Sequence, residues 1–313
     1  MSSLRVSVVI PTLNARRYLP DLIRAFREQR PAPPDEIILV DSGSGDGTAE
    51  HVAGMPGVRV VRIERFTHGG SRNLGVRESR GEFVAFLSQD ALPADERWLC
   101  ELLAPFATPD VAAAFSRQAP RPDASPMERY FLETHFPAGD AVVMRHRGTG
   151  QPVFQRDVFF SNVSAAVRRE SALRHPFDEE LIMSEDQQLA RDLLLAGHAV
   201  AYAPTSVVLH SHNYTLRQAF ERYFDSVYSL TKIFPHHDMG SSVSLGVGYL
   251  RREAAMMARR HPGHLPHYAG YVFAKSLGTL LGHYAERLPR SWARRMSMHK
   301  AWWDRPRAGP GGR

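Results

Sequence analysis

The chain has 313 residues, 43% hydrophobic and 23% charged, with a formal net charge of +6. This composition is ordinary for a globular protein, and the length suffices for one α/β domain plus an appendage. A single cysteine, Cys100, excludes an intramolecular disulfide framework and fits a reducing compartment. No run of 18 uncharged apolar residues occurs, so no transmembrane helix is expected, and the first apolar segment, 6–10, is too short for a signal peptide.

Residues 5–14, Arg-Val-Ser-Val-Val-Ile-Pro-Thr-Leu-Asn, predict a buried strand that Pro11 ends, because proline has no N–H for a ladder. A helix follows over about 16–29, with Leu19, Leu22, Ile23 and Phe26 at helical spacing. Pro31, Pro33 and Pro34 break it. The second strand, 35–40, runs into Asp41-Ser-Gly-Ser-Gly-Asp-Gly-Thr48. The glycines of this turn let backbone approach a ligand closely, and Ser44 or Asp46 can cap the next helix. The turn is neither a P-loop nor the dinucleotide fingerprint. Strand three is 58–63. After it, His68-Gly-Gly-Ser-Arg-Asn-Leu-Gly75 opens a helix, with backbone donors at its N-terminus and Arg72 as a phosphate partner.

Strand four, 83–87, ends abruptly in Ser88, Gln89 and Asp90. Ligands of open α/β sheets sit beyond the carboxyl ends of the strands. A carboxylate there can hold a divalent metal against a phosphate; the plainer alternative is that Asp90 caps a helix. The alternation so far implies a mostly parallel sheet with right-handed crossovers. Its polar strand ends should line one edge, as in nucleotide sites generally.

A helix over 95–106 and a short strand over 111–115 come next. The irregular segment 119–155 carries Pro120, Pro122, Pro126 and Pro137 and a short helix over 126–135. An apolar stretch, 157–167, surrounds Ser161-Asn162. Ser184 is a suitable N-cap for a helix over 185–196, whose first turn holds Glu185 and Asp186, where the helix dipole favours acids. Two short strands, 199–202 and 206–209, lead to His210-Ser-His-Asn-Tyr and a long amphipathic helix over 216–234. The remainder is helical and basic: residues 247–313 hold 13 Lys/Arg and 3 Asp/Glu, a balance of +10 that leaves −4 for residues 1–246. Such a tail can meet nucleic acid, anionic lipid or a phosphorylated substrate, or be a solvated helix face. The Pro/Gly-rich end, 305–313, reads as disordered.

Val8-Val-Ile-Pro-Thr-Leu-Asn14, Ile38-Leu-Val-Asp-Ser-Gly-Ser-Gly-Asp-Gly-Thr48, His68-Gly-Gly-Ser-Arg-Asn-Leu-Gly75 and Ser184-Glu-Asp186 resemble, in this order, the motifs of glycosyltransferase family 2. Phe160-Ser-Asn-Val-Ser-Ala-Ala-Val-Arg-Arg, Met183-Ser-Glu-Asp, His210-Ser-His-Asn-Tyr-Thr-Leu and Ser88-Gln89-Asp90 are similar to the bacterial rhamnosyltransferases of that family. The resemblance implies an inverting enzyme of the GT-A fold, a Rossmann-like, mostly parallel sheet flanked by helices. It implies transfer of L-rhamnose from dTDP-L-rhamnose to a saccharide or polyprenyl-diphosphate-linked acceptor of cell-surface polysaccharide. The expected division is a catalytic domain over 1–214, a basic helical extension over 215–304 and the tail 305–313.

On this resemblance Asp186 is the expected general base and Glu185 an acceptor contact or backbone cap. Asp90, with His210 or His212, would ligate Mg²⁺ or Mn²⁺. Ser88 stands where the wider family has an acid, so the metal site should lean on histidine. Asp41 would read the pyrimidine base, with Thr12 and Asn14 shaping the same floor and Pro11 and Ser42 among the substrate-binding residues. Arg72 would meet the diphosphate or ribose, Gln89 joins the substrate set, and Asn162 and Arg168 are contacts for acceptor or sugar. The expected setting is cytoplasmic, at the inner face of the cell membrane through the basic helices, with no nucleic-acid partner. Competing readings are transfer from a UDP-sugar, a nucleotidyltransferase, and a non-catalytic binding protein for a membrane surface or nucleic acid. The nucleotidyltransferase would show a basic Gly-rich loop where Pro11-Thr12-Leu13-Asn14 stands.

Overall fold

Apolar runs and their breakers set the order of elements. They are β1 (Val6–Thr12), α1 (Leu19–Arg27), β2 (Glu36–Asp41), α2 (Thr48–Val52), β3 (Val58–Arg62), α3 (His68–Glu78), β4 (Phe83–Leu87), β5 (Leu92–Pro93), α4 (Trp98–Leu103), β6 (Val111–Ala119), α5 (Pro126–His135), β7 (Val143–Arg145), β8 (Ser164–Arg168), α6 (Arg169–Arg174), α7 (Glu185–Leu195) and β9 (Ala199–Leu209). The computed structural model describes residues 5–145, 153–234 and 239–305. These belong to two units: Met1–Leu181 with Glu185–His212, and Ile182–Ser184 with Asn213–Arg313.

In the first unit, the strands of the described residues form one sheet in the order β3-β2-β1-β4-β8-β6-β9-β5, with β7 paired to β9. β1 is parallel to β2 and β4, β2 to β3, and β6 to β9. β8, β5 and β7 run antiparallel to their neighbours. Six strands therefore end at one edge, and the chain leaves β1 toward β2 on one side and reaches β4 on the other. The carboxyl ends of β1 and β4 thus flank a reversal of strand order, where ligands of such sheets bind.

The central strands are apolar on both faces because both faces are covered. Val8, Val9, Ile10, Ile38, Leu39, Val84, Ala85, Phe86 and Leu87 are fully buried. Leu19, Leu22, Ile23 and Phe26 of α1 are buried too, with the Phe26 ring 5.9 Å from that of Trp98. Each such side chain contributes about 1.5–3 kcal/mol through lost apolar exposure. On α3, a Cβ on Gly75 would fall 2.2 Å from Val9 Cγ1, so only glycine lets the helix approach β1 this closely.

Several local expectations are corrected. The strand expected over 111–115 extends to Ala119, and the two strands expected in 199–209 are one, β9. The pairing Ser116↔Ala203 is followed by Arg117↔Val207, so residues 204–206 form a bulge. Pro204 cannot donate to the ladder; Ser206 Oγ instead lies 2.8 Å from Ser116 Oγ and donates to Trp98 O at 2.9 Å. The helix expected from 95 starts at Trp98 and turns 3-10 over Ala104–Ala107, where Pro105 has no N–H to give. The cap of α2 is Gly47, at φ 83°; Asp46 accepts from Thr48 N at 3.0 Å, while Ser44 serves another turn. Ser184, expected as the N-cap of α7, has φ 65°, outside the extended region usual for that position.

The second unit holds α8 (Leu216–Ile233), α9 (Met239–Arg260), α10 (Leu265–His283), α11 (Arg290–Met296) and α12 (Lys300–Trp303). Thr215 and Gln218 form a reciprocal capping box at the start of α8. Gly278 and Gly282 let α10 lie against α8, since a Cβ on either would come within 2.4 Å of Phe220 O or Phe224 O. Phe224, Tyr228, Ala285, Ala293 and Trp303 make the core of this unit. Of the tail expected over 305–313, the part beyond Arg305 lies outside the described residues.

Candidate active site

The β1 and β2 ends are built around Asp41, a buried carboxylate that pairs in register with Thr12. Its oxygens accept from Gly43 N and Ser44 N at 3.0 Å, Ser44 Oγ at 2.5 Å and Thr12 Oγ1 at 3.3 Å. Burial alone would raise its pKa, but these donors outweigh it and hold the carboxyl below the usual range. Ser42 donates from both N and Oγ to Thr12 O, at 3.0 and 2.9 Å. Asn14, at φ 52°, donates from its N–H to Ser44 Oγ at 2.8 Å and accepts from Gly45 N at 3.0 Å. Pro11, facing Val40 in the ladder, closes this floor. The glycine-rich turn is therefore tied down by side chains on both sides.

Gln89 spans the strand-order reversal. Its amide accepts from Leu13 N at 2.8 Å and donates to Leu13 O at 3.1 Å, so its first job is to bind the β4 end to the β1 end. Asp90 follows, and the end of β9 brings two imidazoles to it. Asp90 Oδ1 lies 3.7 Å from His210 Nε2, and Asp90 Oδ2 lies 3.7 Å from His212 Nε2. These separations are too long for hydrogen bonds, yet all three ligand atoms lie within 4.8 Å of one another. His210 is buried, its Nδ1 2.9 Å from Gln118 Oε1 and its N–H donating to Ala119 O. Two imidazoles and one carboxylate fit a first-row divalent ion such as Mn²⁺ better than Mg²⁺, which prefers oxygen ligands. Arg121 donates to the Asp90 carbonyl and helps fix this corner.

The third part is the start of α7. Glu185 is buried and pairs with Arg72 Nη1 at 2.9 Å. Burial would raise its pKa, but the Arg72 and His68 charges pull it below the usual range. Asp186 is partly exposed, accepts from Asn162 N at 3.2 Å and Gln187 N at 2.8 Å, and has its pKa pushed up to about 7. The main cause is burial of the carboxyl among protein atoms, followed by the neighbouring Glu185 charge; Arg72 and the two N–H donors pull the other way. Asn162 is itself buried, and Ser88 N donates to Val163 O at 2.9 Å, which ties its loop to the β4 end. The Asn162 amide lies beside Glu185 without a hydrogen bond of good geometry.

Three expectations change here. The start of α3 is not an open anion site: Thr67 caps it by accepting from Gly70 N at 2.7 Å. A Cβ on Gly69 would fall 2.6 Å from Asp178 O, so the paired glycines admit the 177–179 loop. Asn73 clamps that loop through Phe177 N and O and the Glu179 carboxylate, each at 2.9 Å. Arg72, expected to face a phosphate, is buried against Glu185, with Nη1 also donating to His68 O. Arg168 lies at the opposite edge of the sheet, across from Phe83 at the start of β4, because β8 runs antiparallel. There it donates to Phe106 O and Val111 O at 2.9 Å.

Gln118, Arg121 and Asn73 were given no role from the sequence, and Ser161 was named only as the neighbour of Asn162. Only Gln118 had a readable signal: a polar residue at the end of an apolar strand, as Asp41 and Asp90 are. A surface hollow of about 410 Å³ between α1 and α2, lined by Ile23, Arg24, Arg27, Arg30 and His51, includes none of the strand-end groups.

Chemically, the edge combines a turn whose carboxylate is held below its usual pKa range, a cation-ready cluster and a carboxyl pushed up to about 7. A model of the family described as "Glycosyl transferase family 2" matches residues 7–175. The chain is 33% identical over 307 residues to the O-antigen chain rhamnosyltransferase RfbN of Salmonella typhimurium, covering 96% of each. It is 33% identical over 304 residues to WbaN of Salmonella anatum, of the same description, covering 95% of each. Among solved structures it is similar to the mannosyltransferase PcManGT from Pyrobaculum calidifontis in complex with GDP-Man and Mn²⁺, at a TM-score of 0.55 and 19% identity, covering 96% of this chain and 85% of that one. Glucosyl-3-phosphoglycerate synthase from Mycobacterium tuberculosis, with Mn²⁺ and UDP, gives a TM-score of 0.53 at 20% identity, covering 76% of this chain and 83% of that one. At these identities the structures bear on the fold alone.

Proposed function

The chain belongs to glycosyltransferase family 2, and on that premise we propose that it transfers L-rhamnose from dTDP-L-rhamnose, with inversion, to a saccharide or polyprenyl-diphosphate-linked acceptor of cell-surface polysaccharide. The full-length similarity to two O-antigen chain rhamnosyltransferases carries the donor sugar. Asp186, a half-buried residue at the start of α7 whose carboxyl is pushed up to about 7, supports the mechanism.

A sugar hydroxyl is too weak an acid to react unaided at neutral pH. Asp186 takes its proton as the hydroxyl oxygen attacks the anomeric carbon from the face opposite the nucleoside diphosphate. Glu185 stays ionised beside Arg72, keeps Asp186 basic and contacts the acceptor. Asn162 N–H holds the Asp186 carboxylate in place. Asp41 accepts from the pyrimidine N3–H, exchanging one of its turn contacts for the base; Pro11, Thr12, Asn14 and Ser42 form the floor, and Gln89 joins the donor contacts while clamping Leu13. Asp90, His210 and His212 would hold Mn²⁺, or more weakly Mg²⁺, and such an ion neutralises the charge that grows on the leaving diphosphate.

We assign residues 1–214 to catalysis and 215–304 to contact with the inner face of the cell membrane. Among the described residues no helix is long and apolar enough to cross a membrane. Phe273, 68% exposed, and Leu280 share one face of α10, while Trp292, 56% exposed, sits on α11 with Arg294 and Arg295. Apolar side chains among cations suit an anionic lipid surface.

The test is nucleoside diphosphate release from dTDP-L-rhamnose and from UDP-sugars, with and without Mn²⁺, beside a thermal-shift panel of the same ligands. A dTDP-selective shift with turnover is expected. Selective turnover of a UDP-sugar would replace the donor. No turnover of any donor by the folded protein with lipid-linked acceptor present would overturn the reading.

A further inference from the structure

We infer that Gln118 is a positioning residue for the metal histidine: it holds His210 in the Nδ1–H tautomer, so that Nε2 presents its lone pair beside Asp90. The inference rests on the reading of Asp90, His210 and His212 as a cation site and extends it to a residue on a different strand.

Gln118 is buried near the end of β6. Its Oε1 lies 2.9 Å from His210 Nδ1, and its Nε2 lies 2.9 Å from Ser161 Oγ. Gln118 Nε2 donates to Ser161 Oγ, which also accepts from Val163 N at 3.4 Å. That orientation leaves the Gln118 oxygen toward the imidazole. An amide oxygen only accepts, so Nδ1 carries the ring proton and Nε2 is bare. A ligating histidine is normally oriented and made more basic by such a contact at its other nitrogen.

The chain builds this contact through the β9 bulge. With the register of Ser116↔Ala203 continued, Gln118 would face residue 205; three looped-out residues bring Val208 opposite Gln118 and Leu209 opposite Ala119. His210 therefore follows directly beside the Gln118 amide. Ser161 also adjoins Asn162, whose N–H donates to Asp186, so one loop supports both the cation cluster and the base.

The test is Mn²⁺ affinity without substrate, read from the loss of the free-ion electron paramagnetic resonance signal on titration. Gln118→Leu should weaken binding about 10–100-fold. Gln118→Glu, which keeps an acceptor at Nδ1, should bind at least as tightly as the native protein. His210→Ala should bind no better than Gln118→Leu. Native affinity in Gln118→Leu, with binding lost in His210→Ala, overturns the inference and leaves the metal reading intact. A Gln118→Glu protein as weak as Gln118→Leu likewise overturns it, and this variant decides the matter if Gln118→Leu does not fold. Native affinity in His210→Ala, or no binding by the native protein, overturns the metal reading beneath it.

Discussion

Two aspartates at the same sheet edge have been given opposite characters. Asp41 sits in a turn whose donors converge on it, and its carboxyl is held below the ordinary range. Asp186 sits at a helix start beside another carboxylate, and its carboxyl is raised to about 7. The difference is one of neighbours, since burial pushes both upward. Four N–H and O–H donors overcome it at Asp41, whereas at Asp186 a like charge adds to it. A fixed anion organises a binding floor, while a carboxyl poised near neutrality can move a proton.

The comparison breaks first at Asp186. Asp186→Asn should lower kcat by about 10²–10⁴-fold, the usual range for a positioned base, with donor binding unchanged by thermal shift. Turnover within a few-fold of native would remove Asp186 from its role. Asp41→Asn should leave chemistry in place but cost about 1.5–3 kcal/mol of stability, since it replaces an ionised acceptor by an amide, and should raise the KM for donor.

The stability curves should differ in sign. Asp41, with its pKa depressed on folding, contributes stability that is present above the unfolded pKa and lost as pH falls through the folded one. Asp186, with its pKa raised, contributes stability present below the unfolded pKa and lost as pH rises through about 7. Asp186→Asn should therefore raise Tm relative to native at pH 8 but not at pH 3, and Asp41→Asn should lower Tm at pH 7 more than at pH 3. Matching pH dependence in both variants would erase the distinction.

The smallest effect concerns how Arg72 reaches Glu185. Gly69 and Gly70 allow the 177–179 loop against the start of α3, one turn before Arg72. Gly69→Ala should cost about 1–3 kcal/mol through the contact with Asp178 O, with only a modest loss of activity. An unchanged Tm would show that the approach is not tight.

The strand ends were legible in the sequence because an apolar run that stops at Asp, Asn or His is hard to read otherwise. Asp41, Asp90, Asp186 and His210 all stand in that position or at a helix start. What was hidden depended on direction and partners. Arg168 follows an apolar strand just as Asp90 does, but β8 runs antiparallel and carries it to the far edge. Arg72 after two glycines suggested a phosphate site, but the glycines serve loop packing and the guanidinium serves Glu185. Gln118 stands at a strand end too, but its contact with His210 was hidden because it depends on a bulge in another strand, within the stretch read as two separate strands.

The most direct test is the pH dependence of kcat at saturating donor and acceptor for the native enzyme and Glu185→Gln. The base must be ionised to act, so native activity should fall as pH drops through about 7. Removing the Glu185 charge removes an upward push on Asp186 and should move that acid limb to lower pH, even though Arg72 loses its partner. An acid limb that stays in place, or moves to higher pH, would contradict the assignment of Asp186 as a base tuned by its neighbour.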